Sequence, residues 1–118
     1  MTRFNSNIFF MKINPAQRML NKITRVIVES AQPEQVIFFG SRAKNSHRPD
    51  SDFDFMVVKK NVKNERVVSQ RVYRALFEKN IEEQVDIIVV DQNKLKTYRD
   101  DPYAIYHWAI NEGKVVYG

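Results

Sequence analysis

Two apolar runs of this chain carry aspartates where a buried strand should carry none. Phe53-Asp54-Phe55-Met56-Val57-Val58 and Val85-Asp86-Ile87-Ile88-Val89-Val90 are short, β-branched and aromatic, the pattern of strands covered on both faces. A carboxylate in such a run is costly unless it is paired or bound to a metal. Asp52 stands two positions before Asp54. Side chains alternate along a strand, so these two carboxylates project from the same face, and at close range they repel. A folded chain tolerates this where a hard cation supplies the missing charge. Oxygen-only ligands favour magnesium, which binds through one or two carboxylates plus substrate phosphates. Taken alone, Asp-x-Asp is usually surface or turn chemistry, and Asp86 alone could be an edge-strand acid or a salt-bridge partner.

A second feature changes that balance. Val36-Ile37-Phe38-Phe39 reads as a buried strand that ends at Gly40-Ser41. Glycine permits close backbone approach, and a helical turn over Ser41-Arg42-Ala43-Lys44 would present N–H groups to a phosphate. The Ser41 hydroxyl adds one more hydrogen bond. Arg42 and Lys44 lie close enough in sequence to help, although either could simply be solvated. A phosphate cradle beside a carboxylate pair is what nucleotidyl transfer requires: metal ions bridge the phosphates, neutralise developing charge and align the attacking hydroxyl.

The remaining elements follow from periodicity. Pro15 to Ser30 is a helix with Asn14 as N-cap, proline in its first turn and Ala16, Met19, Leu20, Ile23, Val26 and Ile27 on one face. Gln32-Pro33 stops it. Glu65 to Lys79 repeats the helical spacing through Val68, Val72, Ala75 and Leu76. A short helix is expected from Asp91 to Tyr98. Another opens at Asp101-Pro102 with Ile105, Tyr106, Ala109 and Ile110 facing inward, and Gly113 sits at a C-cap position. Val115-Val116-Tyr117 closes as a short strand. The order helix, strand, strand, helix, strand, helix, strand implies an α+β fold, a small mixed sheet flanked by helices. Residues 1–13 read as an N-terminal extension, with Met11 an alternative start, and 14–118 as one domain.

Composition narrows the classes. The chain has 118 residues, enough for a real core, and no cysteine, which removes disulfides, thiolate zinc sites and cysteine nucleophiles and fits a reducing cytoplasm. No apolar run approaches the roughly 20 residues that span a bilayer. The net charge of +5 and pI near 9.6 suit acidic partners or a solvated surface equally. The basic run Lys59 to Lys63 lacks interleaved aromatics and reads as a solvated turn, so direct nucleic-acid binding is not the expected use.

Gly40-Ser41, ten residues, then Asp52-Phe53-Asp54, with Asp86 on the third strand, resembles the signature of the DNA polymerase β-like nucleotidyltransferase superfamily. Phe39 to Lys44 and the ending Ile110 to Tyr117 are similar to those of its minimal prokaryotic members. The resemblance implies that Gly40 and Ser41 hold a triphosphate, that Asp52 and Asp54 bind two magnesium ions, and that Asp86 binds the catalytic ion and favours deprotonation of the acceptor hydroxyl. ATP is the implied substrate. Lys44 stands where relatives often have Arg, Asn45 where they have Gly and Phe53 where they have Ile or Leu; none of these removes an acid. Minimal members resemble antitoxins whose partners are HEPN-type proteins, often RNases, and which add AMP to a partner tyrosine. The partner's own Arg-x(4–6)-His-x-Tyr pattern is missing here, since Pro49 follows Arg42 and His47 where tyrosine would stand. A small-molecule acceptor is a weaker enzymatic alternative, and a module that neutralises its partner by contact is the non-catalytic one. Outside the motif, His47 reads as a solvated loop residue and His107 and Trp108 as helix packing. Tyr98, Tyr103 and Tyr106 divide between core positions and a partner surface.

Overall fold

The computed structural model describes residues 14–44 and 51–118. The first helix, α1 (Pro15–Ala31), begins where the Asn14 side chain accepts from Gln17 N at 2.8 Å. It runs one residue beyond the expected Ser30. Pro33 disfavours a right-handed helical conformation at the residue before it, and Gln32 ends the helix with φ of 49° while its N–H donates to the Val28 carbonyl.

Strands β1 (Gln35–Phe39) and β2 (Phe53–Lys59) are antiparallel neighbours. Helix α2 (Glu65–Glu78), capped by the Asn64 side chain, carries the chain back so that β3 (Val85–Asp91) lies parallel to β2. Asp91 caps α3 (Gln92–Tyr98) through Asn93 N, and α4 (Ile105–Glu112) leads into β4 (Lys114–Tyr117), antiparallel to β1. The sheet order is β3-β2-β1-β4, a mixed sheet in an α+β fold.

The period-two alternation of the strands divides the core into two layers. Phe38, Phe53, Phe55, Val57, Ile87 and Val89 face α1 and α2, where Ile23, Ile27, Val68, Val72 and Leu76 meet them. Ile37, Met56, Val58 and Val90 face the other way, against Leu95 of α3 and Ala109 of α4. Helices therefore cover both sides of the sheet, but α3 and α4 are short, so the second face is covered over only part of its length.

One expectation needs correcting. The last helix starts at Ile105 and not at Asp101-Pro102, and Ile105 is exposed, whereas Ala109 is buried and Tyr106 and Ile110 are half-buried. The Asp101 carboxylate accepts from Tyr103 N at 2.9 Å, a side-chain turn that competes with helical hydrogen bonding. Gly113 is the C-cap, as expected, with an extended backbone at φ of −87° and its N–H donating to the Ala109 carbonyl. Its role is space, because a Cβ there would lie 2.7 Å from Ile37 Cγ2 and 2.9 Å from the Phe38 carbonyl oxygen.

Candidate active site

The register of the sheet brings the sequence-predicted acids together. Asp54 pairs with Asp86 across the parallel β2–β3 ladder, and with Phe39 across the antiparallel β1–β2 ladder. The end of β1 and the beginnings of β2 and β3 thus lie side by side. Phe53 N donates to Gln84 O at 2.9 Å, which prolongs the contact between the two strand entries. In-register residues of adjacent strands share a face, so both carboxylates project from the α3/α4 side, beyond the part that those helices cover. Asp52 stands one residue before β2 and is exposed.

The apolar flanks of Asp86 led to the expectation of a buried acid, and the structure corrects it: Asp86 is exposed, because β3 is an edge strand and its covered part lies further along, at Val89 and Val90. Asp54 is half-buried. Burial first, then the charges of Asp86 and Asp52, push its carboxyl up to about 6. A carboxyl raised by burial and then by two neighbouring acids is one whose ionised form a hard cation would favour. Among the described residues, no group of three or more His, Asp or Glu side chains gathers closely enough to hold a metal by itself. Magnesium does not require such a cage, since substrate phosphates and water complete its octahedron. The donor set fits an ion that arrives with a nucleotide.

Gly40 is required twice over. It follows β1 with φ of +84°, a conformation L side chains rarely adopt, and any Cβ on it would overlap the Asp54 carboxylate. The glycine of the cradle and the second acid of the pair are therefore one packing unit. Ser41 to Lys44 then form a single hydrogen-bonded turn, in which Lys44 N donates to Ser41 O at 3.2 Å. Both basic residues are engaged within the chain. Arg42 donates from Nε to Ser51 O at 2.7 Å and lies 4.1 Å over the Phe53 ring, so it ties together the two flanks of the loop between cradle and acids. Lys44 pairs with Glu112 at the end of α4. Asn45 and His47 lie outside the described residues. A cavity of about 290 Å³ beside Arg42 and Phe53 opens toward α1, and none of the three acids lines it.

Sequence reasoning missed Tyr73. Its hydroxyl accepts from Ile87 N at 2.8 Å and lies 3.4 Å from Asp86 Oδ1, to which it donates. The available signal was a tyrosine directly after the buried Val72 on a helix that packs beside the acid-bearing strand. Outside the site, Tyr103 is almost fully exposed, Tyr98 and Trp108 are exposed and Tyr106 is half-buried. Trp108 Nε1 donates to Pro102 O, and His107 Nδ1 lies 3.0 Å from Arg99 O, so both help fix the turn before α4. No helix among the described residues is long and apolar enough to cross a membrane.

A family model described as polymerase beta, nucleotidyltransferase matches residues 21–118. A comparison with curated proteins finds no significant match in sequence. Among solved structures, a candidate nucleotidyltransferase from Sulfolobus solfataricus is 24% identical, with a TM-score of 0.56 over 83% of this chain and 76% of that one. A toxin–antitoxin structure with AMP-PNP is 18% identical, with a TM-score of 0.55 over 83% of this chain and 72% of its own. At these identities the likeness is one of fold.

Proposed function

Because this chain belongs to the polymerase β nucleotidyltransferase family, we propose that it transfers AMP from ATP to a hydroxyl of a protein partner, a tyrosine of a HEPN-type toxin, and so acts as an antitoxin. The observation that carries the reading is the packing of the Asp54 carboxylate against Gly40, with Asp86 in register beside it. That arrangement joins a phosphate-approachable backbone to a carboxylate pair whose ionised form a hard cation would favour.

In this reading Gly40 and Ser41 receive the triphosphate, and Asp52, Asp54 and Asp86 hold magnesium. Bound magnesium supplies charge neutralisation for the phosphates and the leaving group. Asp86 orients the acceptor hydroxyl and takes its proton. The hydroxyl oxygen bonds to the α-phosphorus, the bond to the β-phosphate oxygen breaks, and pyrophosphate leaves. Asp52 and Asp86 are exposed, which suits an acceptor presented by another protein's surface. The shared fold with a toxin–antitoxin structure solved with AMP-PNP supports the same direction.

A second reading, neutralisation by contact with little turnover, is favoured by one observation: Arg42 and Lys44 are both occupied by groups of this chain. The two are separated by weighing a candidate HEPN-type partner after incubation with the chain, ATP and magnesium. An added AMP mass that is absent with Asp52→Asn is the expected result. A stable, inhibited complex with no mass change would overturn catalysis in favour of contact.

A further inference from the structure

Asp86 stands on the edge strand β3, which among the described residues has a hydrogen-bonded neighbour strand on one side only. Edge strands present backbone groups with no ladder partner and are managed by whatever covers them. Here two side chains of α2 cover it: Glu65 accepts from Asp91 N at 3.1 Å at the far end of the strand, and Tyr73 serves the end that carries Asp86. Tyr73 reaches from α2, where Val72 is fully buried, to the open side of β3. Its Oη accepts the Ile87 N–H at 2.8 Å, and the one proton of the phenol faces Asp86 Oδ1 at 3.4 Å.

We propose that Tyr73 is a positioning residue for Asp86: one phenol oxygen ties the backbone of β3 and the Asp86 carboxylate together, so that Oδ1 is steered by the protein and Oδ2 is left for the ion and the acceptor. This rests on the reading of Asp86 as a metal-binding acid. Because the two hydrogen bonds share an oxygen, the position of the strand edge and the rotation of the carboxylate are coupled. The Ile87 bond is short and sets the position of the hydroxyl. The Asp86 bond is long for O–H···O, so it steers the carboxylate without clamping it, as contacts in an unliganded site often do before they tighten. Removing the hydroxyl frees both the strand edge and the carboxylate rotamer. A residue that merely seals the edge would affect stability alone.

The test uses Mn²⁺ together with ATP and no acceptor, with protein-bound Mn²⁺ measured by electron paramagnetic resonance, on the wild type, Tyr73→Phe, Asp86→Asn and the double variant. Tyr73→Phe keeps the ring and should weaken Mn²⁺ binding about threefold to tenfold, the range open to one hydrogen bond. In the Asp86→Asn background it should have no further effect. Tyr73→Gln, which retains a donor and an acceptor, should recover part of the loss; it also serves if Tyr73→Phe folds poorly. Unchanged Mn²⁺ affinity in both Tyr73 variants, or the same loss in both backgrounds, overturns the role of Tyr73. Wild-type affinity in Asp86→Asn overturns the metal-site reading itself and the role of Tyr73 with it.

Discussion

Replacing Asp54 by Asn should make the metal-free protein more stable at neutral pH while abolishing transfer. The Asp54 carboxyl is raised from 3.8 to about 6, chiefly by burial and then by the neighbouring acids. Each tenfold change in proton affinity corresponds to about 1.4 kcal/mol, so the gross penalty on the ionised form is roughly 3 kcal/mol. Asp54 is only half-buried, and water screens much of this; about 1 kcal/mol is the expectation. The sign follows from linkage. Between about pH 4 and pH 6 the folded state holds a proton that the unfolded state has released, so this group's contribution to stability falls as pH rises through that window. Asn has no such proton. The variant should therefore match the wild type near pH 4 and melt about 4 °C higher at pH 7.5, in thermal unfolding by circular dichroism without divalent ions. Adding magnesium should restore more stability to the wild type than to the variant. A variant that melts no higher than the wild type at pH 7.5, or one whose advantage does not vary with pH, refutes the argument.

Gly40→Ala should cost about 2 kcal/mol or more, since the left-handed backbone alone strains an L residue by roughly 1–2 kcal/mol and the new methyl overlaps the Asp54 carboxylate. Urea unfolding measures it, and a loss below about 0.5 kcal/mol would contradict the packing described. Glu112→Gln removes the partner of Lys44 from a half-exposed pair, so stability should change by less than about 1 kcal/mol. Released Lys44 should tighten ATP binding by about twofold in calorimetry, and Lys44→Met should weaken it; severalfold weaker binding in Glu112→Gln would show the pair to be a structural support of the cradle.

The strands and their acids were readable because their signals are local. Apolar runs located β2 and β3 and with them Asp54 and Asp86; Asp52 falls one residue before β2, outside the reach of the alternation argument. Packing of Asp54 against Gly40 was not readable, because nothing in a sequence states which strand neighbours meet across a sheet; only the β1–β2 register does so. Exposure at Asp86 was misjudged for the same reason: apolar flanks say that a strand is buried somewhere, not which end the helices cover. The start of α4 failed at Asp101, where a side-chain turn outcompeted the helix that Asp-Pro usually opens. Lys44 was read as a phosphate contact from its position in the chain, and its partner Glu112 lies 68 residues away in sequence. Tyr73 was invisible because its function depends on an oxygen at the far end of the ring, beyond what helical periodicity describes.

The topology explains why the candidate site lies at one end of the sheet. Antiparallel pairing brings the C-terminal end of β1, with Gly40 after it, beside the N-terminal entry of β2. The crossover through α2 makes β3 parallel to β2, so its N-terminal entry arrives at the same end. Three strand ends therefore place a glycine turn and two carboxylates in adjacent positions. A tight hairpin between β2 and β3 would have sent Asp86 to the opposite end. The same crossover helix carries Tyr73, so the element that creates the parallel register also braces the acid on the edge strand. Helices α3 and α4 pack on Met56, Val58 and Val90, leaving the acid end of that face with Asp52 and Asp86 exposed. A small acceptor would need walls there to be held in line with a phosphate. Under the proposed function, a folded partner would bring its own rigid surface and its own hydroxyl to that exposed end.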